Sequence, residues 1–95
     1  VAENVERTLV GINTSDGVLI KEYTTHFIDR IIGSYEQKRE PVSIGDVLSA
    51  LTNPADVVDR SKTERIYVHK EGNCKVGVNP SYGRLVQTSP KKKGV

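Results

Sequence analysis

Apolar residues recur at a helical spacing in the first half of the chain and at every second position in the second half. The opening Val1-Ala2-Glu3-Asn4 follows neither period, and residues 1–6 read as the end of a linker. Thr8-Leu9-Val10-Gly11 and Val18-Leu19-Ile20-Lys21 flank Asn13-Thr14-Ser15-Asp16-Gly17, whose Asp-Gly pair is a turn signal, so a small hairpin or paired extended segment is predicted there. Phe27, Ile28, Ile31 and Ile32 form the stripe of an amphipathic helix, capped by Thr24 or Thr25 and ended by Gly33. Residues 34–41 are charged and aperiodic, either a loop or a continuation of that helix. A second helix is signalled by Ser43 at its N-cap, Asp46 three residues on and Val42 placed to staple against Val47. Ile44, Val47, Leu48 and Leu51 make its buried stripe, and Asn53-Pro54 stops it.

Beyond a polar link at Asp59-Arg60-Ser61-Lys62 the period becomes two. Residues 65–70, 74–78 and 84–89 read as three strands joined by connections short enough to require an antiparallel meander. The predicted fold class is α+β, with two helices laid on one face of a small antiparallel sheet and the other face open to water.

Length confines this pattern to one core: 95 residues make a single domain, expected over residues 7–90, with residues 91–95 as a basic tail. No apolar run is long enough for a membrane span, and neither a span nor an export signal is expected in this piece. Cys74 is the one cysteine, so no internal disulfide can form, and no metal or other cofactor is expected from so sparse a set of ligands. Charge divides the chain more sharply than the net +2 suggests. Residues 1–59 carry five Lys/Arg against ten Asp/Glu, a balance of −5, and residues 60–95 carry nine against two, a balance of +7. A half that basic suits phosphate or an acidic partner. The lysine run at Lys91-Lys92-Lys93 is either a solvated tail or an arm that follows phosphates.

His26 and Arg30 stand four apart and share a helix face at the border of the apolar stripe, either as a reactive pair or as a boundary histidine beside an exposed arginine. Arg65, Tyr67 and His69 alternate with Ile66 and Val68, which predicts a polar face turned away from the helices. Lys75 and Gly77 are expected on that open face, while the adjacent Leu85 and Val86 leave the third strand's phase undecided: either Thr88, or Gln87 with Ser89, points outward. His26, Arg30, Tyr67, His69 and Thr88 are the candidate catalytic residues, and Arg65, Lys75, Arg84, Ser89 and Lys91 the candidates for holding substrate. Two imidazoles, a phenol and several cations are equipment for metal-free cleavage of RNA. The 2′-hydroxyl attacks its own phosphate, and the protein supplies proton transfer and cations for the phosphorane.

The ordered set of motifs resembles the toxin domains of the barnase/EndoU/colicin/RelE-like ribonuclease superfamily, found at the C-termini of bacterial polymorphic toxins. His26-Phe27-Ile28-Asp29-Arg30 resembles that group's His-x-x-[Glu/Asp]-Arg helix, and residues 42–54 resemble its second helix ending in Asn-Pro. Arg65-Ile66-Tyr67-Val68 is similar to its first sheet strand. Val76-Gly77-Val78-Asn79-Pro80 with Gly83-Arg84-Leu85-Val86-Gln87-Thr88 is similar to its hairpin. The resemblance covers about two thirds of the chain and implies a barnase/RelE-like sheet with His26, Arg30 and Thr88 at the active site. The segment at 34–41 is an insertion relative to that pattern and 69–75 is longer than in it, so His69 is a candidate from its chemistry alone. Val1-Ala2-Glu3-Asn4 resembles the Val-Glu-Asn-Asn marker ahead of toxin regions in contact-dependent growth inhibition proteins.

The resemblance implies an endoribonuclease, acting on RNA and in particular tRNA, secreted by one bacterium or delivered from its surface into the cytoplasm of another for interbacterial competition. A cognate immunity protein would neutralise it at home. The alternative is a non-catalytic RNA-binding or protein-interaction module using the basic sheet face. RNA-binding sheets present stacked aromatics, and only Tyr67 and Tyr82 are on offer here.

Overall fold

A computed structural model of the chain describes residues 2–33 and 41–90. Within the described residues three helices and a five-stranded mixed sheet make an α+β fold: α1 (Ala2–Thr8), β1 (Glu22–Tyr23), α2 (Thr25–Ile32), α3 (Ile44–Thr52), β2 (Asp56–Ser61), β3 (Glu64–Val68), β4 (Cys74–Asn79) and β5 (Arg84–Pro90). The sheet order is β1-β5-β4-β3-β2; β2 to β5 form the antiparallel meander, and β1 adds to β5 in parallel.

The two expected helices form for the expected reasons. The Thr24 hydroxyl accepts the Phe27 amide at 3.0 Å and donates to the Val86 carbonyl at 2.8 Å, so one side chain both starts α2 and pins it to β5. Phe27 and Ile31 are the buried members of its stripe, and Gly33 ends it at φ +80°. Ser43 caps α3 by accepting the Asp46 amide at 3.4 Å, and Val47, Ala50 and Leu51 enter the core. Residues 13 and 19 pair as an isolated antiparallel bridge, so of the hairpin or paired extended segment expected there the structure has the paired extended segment.

Three features differ from the sequence reading. The presumed linker end is α1, whose Val5, with Leu9 just beyond the helix, is fully buried in the common core. Two apolar residues four apart are enough to seat a short helix but too few to show a period. The presumed polar link belongs to β2, an edge strand of mostly exposed residues whose charges give no alternation. The parallel β1 makes the sheet mixed, and it depends on close backbone contact: Lys21 donates to the Gly83 carbonyl at 2.8 Å, and a Cβ at Gly83 would stand 2.0 Å from the Leu19 carbonyl oxygen. Gly83 also has φ +65°, so the position requires glycine twice over. Of the segment 34–41, expected as a loop or continued helix, residues 34–40 lie outside the described residues, as does the expected basic tail at 91–95.

The faces of the sheet follow from its register. Tyr67 pairs with Val76 and Val76 with Thr88, and these three lie with Cys74, Val78 and Leu85 on the face covered by the helices. Ile66, Gly77 and Gln87 form the next row and face outward, as do Val68, Lys75 and Ser89. The outward placing of Lys75 and Gly77 agrees with the sequence reading, whereas that of β3 is reversed. Arg65, Tyr67 and His69 point toward the helices, and Ile66 and Val68 toward water. The register with β4 decides this: its Val76 and Val78 must be buried, and in a sheet every cross-strand neighbour shares its partner's face. In β5 the pairing shifts between Gly77 and Val78, leaving Val86 as the extra residue of a bulge, which turns Gln87 and Ser89 outward and Thr88 inward.

Candidate functional site

The candidate residues separate into three places. The first is the exposed face of α2, where Arg30 Nε donates to His26 Nε2 at 3.4 Å. A guanidinium has only donors, so the direction of this bond places a lone pair on His26 Nε2. The result is an exposed imidazole acceptor beside a permanent cation. α2 lies along β5, the strand that bears Thr88, because Thr24 fixes its start over Leu85 and Val86. Thr88 itself is 2% exposed and donates to the Lys75 carbonyl at 2.8 Å; among the described residues no hydrogen bond joins it to His26 or Arg30.

The second place is under the helices. Tyr67 is fully buried, and its hydroxyl donates to Asp16 Oδ1 at 2.7 Å. Arg65 reaches Asp16 Oδ2 at 2.8 Å and Asp59 Oδ1 at 2.7 Å, and Thr14 donates to the same Asp16 carboxylate. Burial works to raise the Asp16 carboxyl, but the hydrogen bonds from Thr14, Tyr67 and Arg65 outweigh it and hold the group below its usual value. Burial, and then the charge of Asp16, push the Tyr67 phenol up, so it stays a donor. Arg65 is held more firmly protonated, chiefly by its bond to Asp59. These residues tie the 13–18 loop to the sheet, and Tyr67 and Arg65 have partners of their own there. His69, 4% exposed, is likewise engaged: its Nδ1 accepts the Glu71 amide at 3.0 Å and its Nε2 faces Asp46 Oδ1 at 3.5 Å, which links the β3–β4 turn to α3. Burial, with Asp46 nearby, pushes the Cys74 thiol up to about 11, so it is no nucleophile.

The Asp16 network makes a stability prediction. Asp16→Ala removes the acceptor of a buried phenol and one partner of Arg65, and about 1–3 kcal/mol of stability is expected to go with it. Because the folded-state carboxyl is depressed, its contribution is complete above the unfolded value near 3.8 and is lost as pH falls through the folded one. Urea denaturation of the two proteins should therefore show a stability difference at pH 7 that narrows below about pH 4. A difference independent of pH would assign the effect to loop packing instead.

The third place is the open sheet face. A groove of about 260 Å³ is lined there by Arg60, Ile66, Lys75, Gly77, Gln87 and Ser89. Glu64 leans over it: Gln87 Nε2 donates to its Oε2 at 2.9 Å, and Arg60 stands 3.3 Å from its Oε1. Of the expected substrate-binding residues only Lys75 and Ser89 are here. Arg84 lies near the sheet edge, bonded to Glu22 at 2.9 Å and 5.1 Å above the Tyr82 ring, and Lys91 is outside the described residues. Arg60 and Glu64 were missed because they lie at the poorly patterned β2–β3 turn; the scarcity of acids in the basic half, Glu64 and Glu71 alone, was the available signal. No protein-family model, characterised protein or solved structure matches the chain.

Proposed function

We propose that the chain is a metal-independent endoribonuclease whose reacting pair is His26 and Arg30. The observation that carries this reading is an exposed imidazole, His26, held 3.4 Å from the Arg30 guanidinium on one face of α2. An RNA phosphate attracts Arg30, which frees His26 Nε2 to accept the proton of the adjacent 2′-hydroxyl. The 2′-oxygen forms a bond to phosphorus, the bond from phosphorus to the 5′-oxygen breaks, and that oxygen takes a proton from solvent. Arg30 stabilises the charge that accumulates on the phosphorane.

The resemblance to polymorphic toxin domains extends the proposal. The fold is then of the barnase/RelE kind, the substrate tRNA, the site of action the cytoplasm of a competing bacterium, and the partner an immunity protein that covers the basic half. Charge complementarity favours an acidic inhibitor that binds quickly. No helix among the described residues is long and apolar enough to cross a membrane.

A non-catalytic binding module is the second reading, favoured by the exposed apolar patch on the open face: Val58 is 47% exposed, with Ile66 and Val68 beside it. Toxicity on cytoplasmic expression, present in the wild type and absent in His26→Ala, separates the two. Cleavage is also expected to survive EDTA, since His26 and Arg30 supply both proton transfer and charge. Activity lost in chelator and restored by magnesium would overturn the mechanism.

A further inference from the structure

We propose that the groove on the open sheet face is a subsite for a phosphodiester of the RNA strand, and that Glu64 occupies it in the free protein as an internal anion that the phosphate displaces from Arg60. The identity of the strand rests on the ribonuclease reading; the subsite adds a second contact, on the side of the sheet opposite α2.

The groove is built of donors around one acceptor. Lys75 is exposed and makes no ion pair among the described residues, and the register sets it directly beside Ser89. Gln87 and Arg60 both turn toward the Glu64 carboxylate. The backbone has been shaped to admit that carboxylate: a Cβ at Gly77 would stand 2.8 Å from Glu64 Oε2 and 3.0 Å from the Gln87 side chain. Glu64 is consequently only 16% exposed, whereas Arg60 is 65% exposed and held by a single contact of 3.3 Å.

Such an ion pair is weak, and a guanidinium offers its remaining donors to a phosphate as a bidentate fork. A phosphodiester oxygen placed between Arg60 and Lys75 would take the donors now turned to Glu64 and add the Ser89 hydroxyl. Ile66 supplies an apolar floor on which a sugar or base can rest.

The test uses the full chain carrying His26→Ala, so that the strand stays intact, and reads the anisotropy of a labelled single-stranded oligoribonucleotide across a salt series. Lys75→Ala is expected to lower the salt slope by about 0.7, which at 50 mM salt is about an eightfold loss of affinity. Glu64→Gln keeps the side-chain size and the acceptor for Gln87 but removes the competing charge, and is expected to tighten binding by about two- to fivefold. Thermal melts check that each variant is folded.

If the parent binds RNA and both folded variants bind it equally well with the same slope, the subsite is refuted while the ribonuclease reading stands. If both variants shift as expected but the wild-type chain leaves RNA uncut, the subsite holds and the ribonuclease reading fails. A parent that binds no RNA, but whose Lys75 face binds an acidic protein, overturns both.

Discussion

His26→Ala is expected to lower the rate of RNA cleavage by about 10²–10⁴-fold, the usual worth of a positioned proton-transfer group. The variant should remain folded, because His26 is exposed and the packing of α2 rests on Phe27 and Ile31. Alanine is a better helix former than histidine, so the melting temperature should move little. Arg30→Ala provides the companion measurement. If Arg30 chiefly meets charge that develops on the phosphorane, kcat falls more than KM rises, because an interaction made in the transition state has been removed. A His26→Ala protein that cleaves at the wild-type rate would remove the reacting pair from the proposal.

How far this site could be read from the sequence depended on whether a residue's neighbours are local. The relation of His26 to Arg30 is set by a helix, in which residues four apart always meet, and it needed no tertiary information. The same holds for the caps: Thr24 and Ser43 both bond amides three residues ahead, within the window that a sequence pattern covers.

Strand β3 is the opposite case. Arg65-Ile66-Tyr67-Val68-His69 alternates perfectly, so its period is legible, but alternation does not say which set faces the core. The usual assumption buries Ile and Val. Here the register with β4 buries Tyr67 instead, and a phenol can be buried because Asp16, 51 residues earlier in the chain, accepts its hydrogen bond. That partner lies in the 13–18 loop, which no local pattern connects to β3.

The bulge at Val86 is an intermediate case, because the adjacent Leu85 and Val86 marked a break in alternation without saying how it resolves. Once the phase of β3 is inverted and that of β5 fixed, the candidate list divides. Tyr67, His69, Arg65 and Thr88 are bonded to their own protein, while Lys75 and Ser89 share the open face with Arg60, Glu64 and Gln87, whose grouping depends on cross-strand register alone.

The chemistry of the cut is the most decisive outcome, because it is expected to be all or none. His26 Nε2 holds a lone pair and Arg30 a positive charge, which together serve a nucleophile that is already attached to the substrate. The 2′-hydroxyl is such a nucleophile, held by the ribose beside the phosphorus it attacks, and intramolecular placement of this kind removes most of the entropic cost of bringing the reactants together. Cleavage by this route leaves a 2′,3′-cyclic phosphate on one fragment and a 5′-hydroxyl on the other. A strand with 2′-deoxyribose at the scissile position lacks the nucleophile altogether and should remain intact, although it binds Arg30 and the basic sheet face as before. Mass spectrometry of the fragment ends, with the deoxy-substituted strand as control, reads both expectations in one experiment. Fragments ending in 5′-phosphate and 3′-hydroxyl, or scission at the deoxy position, would mean that water is the attacking group, and the roles given to His26 and Arg30 would have to be abandoned even if the chain proved to be a toxin.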